Sequence, residues 1–370
     1  MTQIFSHRLV DRRTALMTLV SAGAGILTLG SPIVNALDDH YGDHNDDHNS
    51  DEHDDVLASI LPGFTAESRG KLRTILSSPG FSGQIPSTAV HELMASEKKT
   101  AATLMLALLP LARTFSHPPI SNYHVGAVAE GMSGSLYLGF NIEFLGHALG
   151  FAVHGEQAAL SSAYMHAEAG VSTIALTAAP CGHCRQFMNE LSPDGQIEIF
   201  VDQAAPTKLS ALLPLAFGPK DLGRKDGAFP VKRTKLISAS RISASLISAS
   251  LTANALQPLA DVLFQSALDA ASTSYVPYSK SLSGAAIAAR SGRIYKGSYI
   301  ENVAFNPSLS PLQTALVQLI SAGEDYAAIS RVALAETKGA KISQKTATEA
   351  VLSGIAPSVR VELLTAEVKS

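Results

Sequence analysis

Two short segments decide how this chain is read. The first is His154-Gly155-Glu156-Gln157. The second is Pro180-Cys181-Gly182-His183-Cys184-Arg185-Gln186, whose first cysteine lies 27 residues after His154. They contain the only two cysteines among 370 residues. A catalytic zinc takes three protein ligands and keeps a fourth position for water. His154, Cys181 and Cys184 supply one nitrogen and two thiolates. Glu156 lies too close in sequence to His154 to chelate easily beside it. It is better placed as a proton shuttle next to the metal, where a bound zinc lowers the pKa of water to about 7.

Local patterns fit that reading. Residues 157–169 (QAALSSAYMHAEA) are rich in helix formers, which puts His154 and Glu156 at a helix start. Residues 171–178 (VSTIALTA) read as a buried strand, bounded by Gly170 and Pro180. A second helix starts at Cys181. Two helix N-termini then converge on the metal, and their positive ends favour thiolate over thiol. The order H-x-E…P-C-x-x-C is the signature of zinc nucleobase deaminases. Two other readings stay open on the residues alone. One is a redox C-x-x-C pair, the other a structural zinc with His183 as a fourth ligand.

At these residues the chain resembles the long-chain, homodimeric cytidine deaminases. Residues 180–190 (PCGHCRQFMNE) carry the resemblance, and so do residues 213–222 (LPLAFGPKDL), which have no metal chemistry. Residues 119–127 (PISNYHVGA) and 139–144 (GFNIEF) resemble the two segments that carry substrate in that family. The resemblance runs from about residue 56 to the C-terminus. It implies that His154, Cys181 and Cys184 bind Zn2+, and that Glu156 moves a proton to the pyrimidine N3 and then to the leaving amine. It also implies that Asn141 and Glu143 hydrogen-bond the ribose hydroxyl and that Tyr123 stacks on the ring. The backbones around Gly155 and Ala179 hydrogen-bond the base. Two positions depart from the family pattern. Gly155 stands where alanine is usual, which implies a slightly looser pocket. Tyr123 stands where phenylalanine is usual, and its hydroxyl needs a partner if buried.

Apolar residues make up 46% of the chain, ample for buried cores. The net charge of −4 is unevenly placed. Residues 1–55 hold three of the 28 basic and ten of the 32 acidic residues, so the remainder is net positive by three. No basic stripe with interleaved aromatics appears, which argues against a nucleic-acid partner. Residues 1–37 have the layout of a targeting or export peptide. Arg12 and Arg13 precede an uncharged, moderately apolar run, and the sequence around Val34-Asn35-Ala36 resembles a cleavage site. Glycine, serine, threonine and Pro32 dilute that run too far for a stable membrane span. Residues 38–55 are acidic and histidine-rich, and read as a disordered segment with weak metal affinity at most.

Residues 56–113 read as a helical region, with the helix over 101–112 interrupted at Pro110. Residues 114–218 read as the catalytic domain, a mixed sheet with helices on its faces. The overall class is therefore α/β, a three-layer αβα arrangement. Residues 219–252 read as a linker. It opens with a charged, turn-rich stretch, 220–235, and then repeats ISAS three times. Residues 253–370 read as a second, degenerate copy. Gly284 and Gly297 are 13 apart, as are Gly126 and Gly139. Residues 297–302 align with 139–144, and 313–316 with 157–160. That register puts Ser310 at the place of His154 and Leu312 at the place of Glu156, so the copy cannot hold zinc in this way. The expected activity is hydrolytic deamination of cytidine and 2'-deoxycytidine in pyrimidine salvage, in the cytosol by family resemblance. The alternatives are a related deaminase with another cytosine-containing substrate and a non-catalytic zinc-binding relative.

Overall fold

A computed structural model describes residues 56–192, 194–202, 204–242 and 253–369. The targeting peptide read at 1–37, the acidic histidine-rich segment at 38–55 and the second and third ISAS repeats lie outside the described residues, apart from Ile242. Among those described, no helix is long and apolar enough to cross a membrane.

Four helices open the described chain: α1 (Val56–Ile60), α2 (Ala66–Leu76), α3 (Ser87–Glu97) and α4 (Ala101–Arg113). The break expected at Pro110 does not occur, and α4 runs through it to Arg113. Proline removes one backbone hydrogen bond. Here Leu104, Met105, Leu108, Leu109, Leu111 and Ala112 are buried on that helix, and their packing holds it together. The helical region also contributes a two-residue strand, β1 (Gln84–Ile85), too short to leave a periodic signal.

The first sheet continues with β2 (Gly126–Gly131), β3 (Leu136–Phe140), β4 (Val171–Leu176), β5 (Glu198–Val201) and β6 (Thr207–Lys208). Its order is β1-β3-β2-β4-β5-β6, and only β4 and β5 pair in parallel. Helices α5 (Gly155–Met165) and α6 (Gly182–Leu191) flank β4 in sequence, and a short α7 (Leu209–Leu212) follows β6. Two glycines fix the layers. A Cβ at Gly126 would run into the Leu109 carbonyl and Arg113 of α4, and one at Gly139 into the backbone of Gly155 and Ala159 of α5. Gly139 pairs with Ala127, the residue after Gly126. Adjacent strand residues face opposite sides of a sheet. Helices α4 and α5 therefore cover opposite faces, which makes the three layers.

The second sheet repeats the plan. It is built from β7 (Leu236–Ile242), β8 (Ser283–Ala289), β9 (Ile294–Ser298), β10 (Ile329–Thr337) and β11 (Val361–Val368), in the order β7-β11-β10-β8-β9. Helices α8 (Ala253–Ser272), α9 (Pro311–Ser321) and α10 (Lys345–Ile355) accompany it. Gly284 pairs with Ser298 as Gly126 pairs with Phe140. Gly284 presses on the backbone of Ala267, Ala270 and Ala271, and Gly297 on Pro311 and Ala315. The contacts with Ala267, Ala271, Pro311 and Ala315 have their counterparts in Leu109, Arg113, Gly155 and Ala159 of the first half. The bridge Ile142–Val153 recurs as Ile300–Leu309, two residues shorter. The stretch 219–252, expected as a linker, is more than one. Its residues 236–242, including the first ISAS, form β7 and close the edge of the second sheet against β11.

The halves share a core. Leu312, Leu316 and Ile320 of α9 belong to the same buried cluster as Ala158, Ala159 and Leu160 of α5.

Candidate active site

His154 is the residue that caps the N-terminus of α5, and Cys181 caps that of α6. Strand β4 lies between these helices in sequence, and its C-terminal end brings both helix starts to one edge of the sheet. His154 Nδ1 lies 3.5 Å from Cys181 Sγ, and Cys181 Sγ 3.5 Å from Cys184 Sγ. The three donor atoms all fall within 4.8 Å of one another, the one such histidine, cysteine and carboxylate cluster among the described residues. His183 is outside it. Its ring stacks on that of His154, with centroids 5.4 Å apart, which removes the structural observation a four-ligand site would need. Cys184 is buried and Cys181 exposed. Hydrogen bonds from Cys184 and His154 pull the Cys181 thiol down to about 3, while its bond to Cys181 and its burial push the Cys184 thiol up. One nitrogen and two sulfurs this close fit the donor set of a catalytic zinc.

Glu156 sits one residue inside α5 and is only 6% exposed. Burial raises its pKa, against the opposing pull of its own backbone N–H and the Cys184 thiol. A carboxyl raised toward neutrality is suited to taking and returning a proton.

A cavity of about 290 Å³ opens beside it. It is lined by His154, Glu156 and Cys181 and by all five residues that the sequence assigned to substrate, Tyr123, Asn141, Glu143, Gly155 and Ala179. The strand end after β3 carries Asn141 and Glu143. Asn141 is pinned on both sides of its amide, accepting from the Val125 N–H at 2.9 Å and donating to the Tyr123 carbonyl at 2.9 Å. Glu143 accepts from the N–H groups of Ile120 and Ser121, both at 2.9 Å, and from the Ser121 hydroxyl at 2.5 Å. Burial raises its pKa, but these three bonds outweigh burial and hold it below the ordinary carboxylate value.

The two departures from the family pattern now have local explanations. A Cβ at Gly155 would come within 2.8 Å of Val125 Cγ1. The space a methyl group would take is filled by Val125, so the looser pocket expected at Gly155 is not seen. Tyr123 is 59% exposed, so its hydroxyl faces no burial penalty.

Three residues inside the quoted segments have roles that the sequence did not assign. Ser121 is the side chain that clamps Glu143. Gln157 accepts from the His154 backbone N–H at 3.2 Å and donates to the Pro307 carbonyl of the second half at 3.2 Å. Glu190, on the helix that carries Cys184, is fully buried. It accepts from the hydroxyls of Tyr275 at 2.7 Å and Tyr278 at 2.5 Å and from the Val303 N–H at 2.8 Å. These partners lie more than 80 residues away, and no local pattern could reveal them.

In the second half Ser310 caps α9 where His154 caps α5, and Leu312 is buried in the core where Glu156 faces the cavity. The carboxylate cradle survives. Glu301 accepts from the N–H groups of Tyr278 at 2.9 Å and Ser279 at 3.2 Å, as Glu143 does from Ile120 and Ser121.

Two stretches of the chain match models of the cytidine and deoxycytidylate deaminase zinc-binding region, at residues 98–197 and 209–349. The chain is 37% identical over 294 residues to the cytidine deaminase of Vibrio parahaemolyticus, covering 80% of this chain and 93% of that one. It is 40% identical over 294 residues to that of Vibrio cholerae, covering 79% and 93%. With that of Shewanella sp. (strain ANA-3) it shares 41% over 276 residues, 75% and 87% of the two chains. Among solved structures, the cytidine deaminase of Burkholderia pseudomallei is 30% identical over 31% of this chain and 98% of that one, with a TM-score of 0.29.

Proposed function

The chain belongs to the cytidine deaminase family, and on that premise we propose that it converts cytidine and 2'-deoxycytidine to uridine and 2'-deoxyuridine with release of ammonia. It is a zinc-dependent deaminase. The observation that carries the substrate reading is a buried Glu156 beside the His154, Cys181 and Cys184 donors, in a cavity that also holds Asn141 and Glu143.

His154, Cys181 and Cys184 would hold the zinc. Zinc, when bound, supplies the Lewis acidity that makes water a competent nucleophile at neutral pH. Glu156 would take one proton from the attacking water and give it to N3 of the pyrimidine, then take the second proton from the same oxygen and give it to the leaving amine, which departs as ammonia. Its raised pKa supports both transfers. Asn141 and Glu143 hold ribose hydroxyls. A carboxylate offers about four lone-pair sites, and Glu143 uses three on Ile120 and Ser121, which leaves one for a sugar hydroxyl. Tyr123 lies against the base, and the backbones at Gly155 and Ala179 hydrogen-bond it.

The protein works as a homodimer. Tyr123, which lines the cavity, and Ile120, Leu145 and Leu149, in the segments that flank its lining residues in sequence, are between 45% and 72% exposed, which supports a second copy covering that face. Catalysis takes place in the cytosol, in pyrimidine salvage. The domain limits at 113/114 and 218/219 set off the helical and catalytic parts, and the degenerate part from 253 onward also takes in the edge strand 236–242 of the preceding stretch.

Ammonia release from cytidine, measured with and without a chelator and compared with cytosine and single-stranded DNA, tests the activity and substrate class. Turnover confined to the nucleosides and abolished by chelation is expected. Turnover of cytosine or DNA in preference would overturn the substrate reading. Light scattering tests the dimer, and the N-terminal residue of the mature chain tests the compartment. Processing near Leu37 would contradict a cytosolic enzyme.

A further inference from the structure

The charged stretch at 220–235 lines no part of the cavity beside Glu156. It forms one wall of a second cavity, of about 300 Å³, between the two halves. Arg224 and Lys232 come from this stretch, Tyr164 from α5, and Tyr275 and Lys280 from the loop before β8. Three cationic side chains line the cavity, and no lining residue is acidic.

The cations are poorly matched within the chain. Arg224 Nε is buried without any hydrogen-bond partner. A buried, unsatisfied charged donor is costly, and in a native protein it calls for an unseen ion or water. Lys232 has a partner in Asp226 at 3.0 Å, but both are largely exposed, and such a pair contributes little. Glu190 is close enough for Arg224 to favour its charged form. It already accepts from Tyr275, Tyr278 and Val303, and no ion pair joins it to Arg224 among the described residues. A concave site with low-dielectric walls concentrates a field of one sign and draws in the opposite charge. Arginine with flanking lysines is the donor set that oxyanions prefer.

We propose that the cavity formed by Arg224, Lys232 and Lys280 is a binding site for a phosphate group, separate from the zinc site. Its volume admits a sugar phosphate as well as the bare anion. The ligand bridges the stretch 220–235 to the second half and stabilises the folded protein.

Calorimetric titration of the zinc-loaded, full-length protein tests the site, with ionic strength held constant. Inorganic phosphate and ribose 5-phosphate are the two probes. Saturable binding is expected, with a rise in thermal midpoint. Tighter binding of ribose 5-phosphate assigns the site to a phosphate ester, and tighter binding of inorganic phosphate to the free anion. R224Q and K280Q should each weaken binding about tenfold or more, the loss of one charge-assisted hydrogen bond. K225Q, which alters an exposed neighbour outside the cavity, should leave it unchanged. Should R224Q not fold, K280Q against K225Q still separates the outcomes. The proposal fails if neither probe saturates by about 10 mM in the wild-type protein, well above the affinity expected of such a donor set. It also fails if K225Q weakens binding as much as K280Q, or if R224Q instead weakens self-association while phosphate has no effect.

Discussion

Gln157 and Gln313 make the same pair of hydrogen bonds in opposite halves of the molecule. Each accepts from the backbone N–H of its helix cap, His154 or Ser310. Each donates across the interface, Gln157 to the Pro307 carbonyl and Gln313 to the Phe151 carbonyl. The halves are locked by a reciprocal exchange, and one of its four ends is the backbone of His154, a proposed zinc ligand. The zinc-less half therefore helps to hold the site it cannot itself form.

Replacing Gln157 by alanine removes both of its buried bonds. The expected loss is about 1–3 kcal/mol of stability, read from urea unfolding. Gln157→Ala should also weaken zinc in a chelator competition. Gln313→Ala should cost similar stability with zinc affinity unchanged. Equal zinc affinity in both variants would separate Gln157 from the metal.

Glu156→Gln keeps the size of the side chain and removes its capacity to carry the proton. We expect kcat to fall by at least about 10²–10⁴, the usual contribution of a general acid–base group. Zinc content, measured by atomic absorption, should stay at the wild-type level. Near-normal turnover in this variant contradicts the assigned role.

Glu190 gives a pH signature of a different kind. Burial raises its pKa in the folded state, against the hydrogen bonds of Tyr278, Val303 and Tyr275. A raised carboxyl contributes stability that is complete below its unfolded value, about 4.3, and lost as pH rises through the folded value. Glu190→Gln stays neutral throughout. Its stability relative to wild type should therefore improve between about pH 4.3 and the raised folded pKa, in denaturation curves taken across that window. Glu190→Ala leaves three donors without an acceptor and should cost about 3 kcal/mol.

The repeated glycines predict matched effects. Gly139→Ala and Gly297→Ala both drive a methyl group into helix backbone. Each should destabilise by about 1–3 kcal/mol or more, as overpacking does. A variant at either site that unfolds at the wild-type midpoint would mean that strand and helix can separate freely.

Zinc removal should be costly beyond activity. Two thiols and a histidine crowd together at two helix starts, and metal bound there stabilises the folded state. Dialysis against a chelator should lower the thermal midpoint and abolish turnover, and added zinc should restore both.

What the sequence by itself determined was the local chemistry. Spacing grouped His154, Glu156, Cys181 and Cys184 as candidates, with a redox pair and a structural zinc still open, because residues at two helix starts around one strand are set by short-range geometry. The equal intervals Gly126 to Gly139 and Gly284 to Gly297 exposed the duplication, because only glycine lets a strand approach a helix so closely. The tertiary structure alone decided the rest. Whether Pro110 breaks its helix depended on the burial of its leucines. That residues 236–242 form an edge strand depended on β11, some 120 residues on. That Glu190 survives as a buried acid depended on two tyrosines and a backbone N–H from the other half. Each of these turns on a partner distant in the chain, and a buried polar group declares its partner only when the chain has folded.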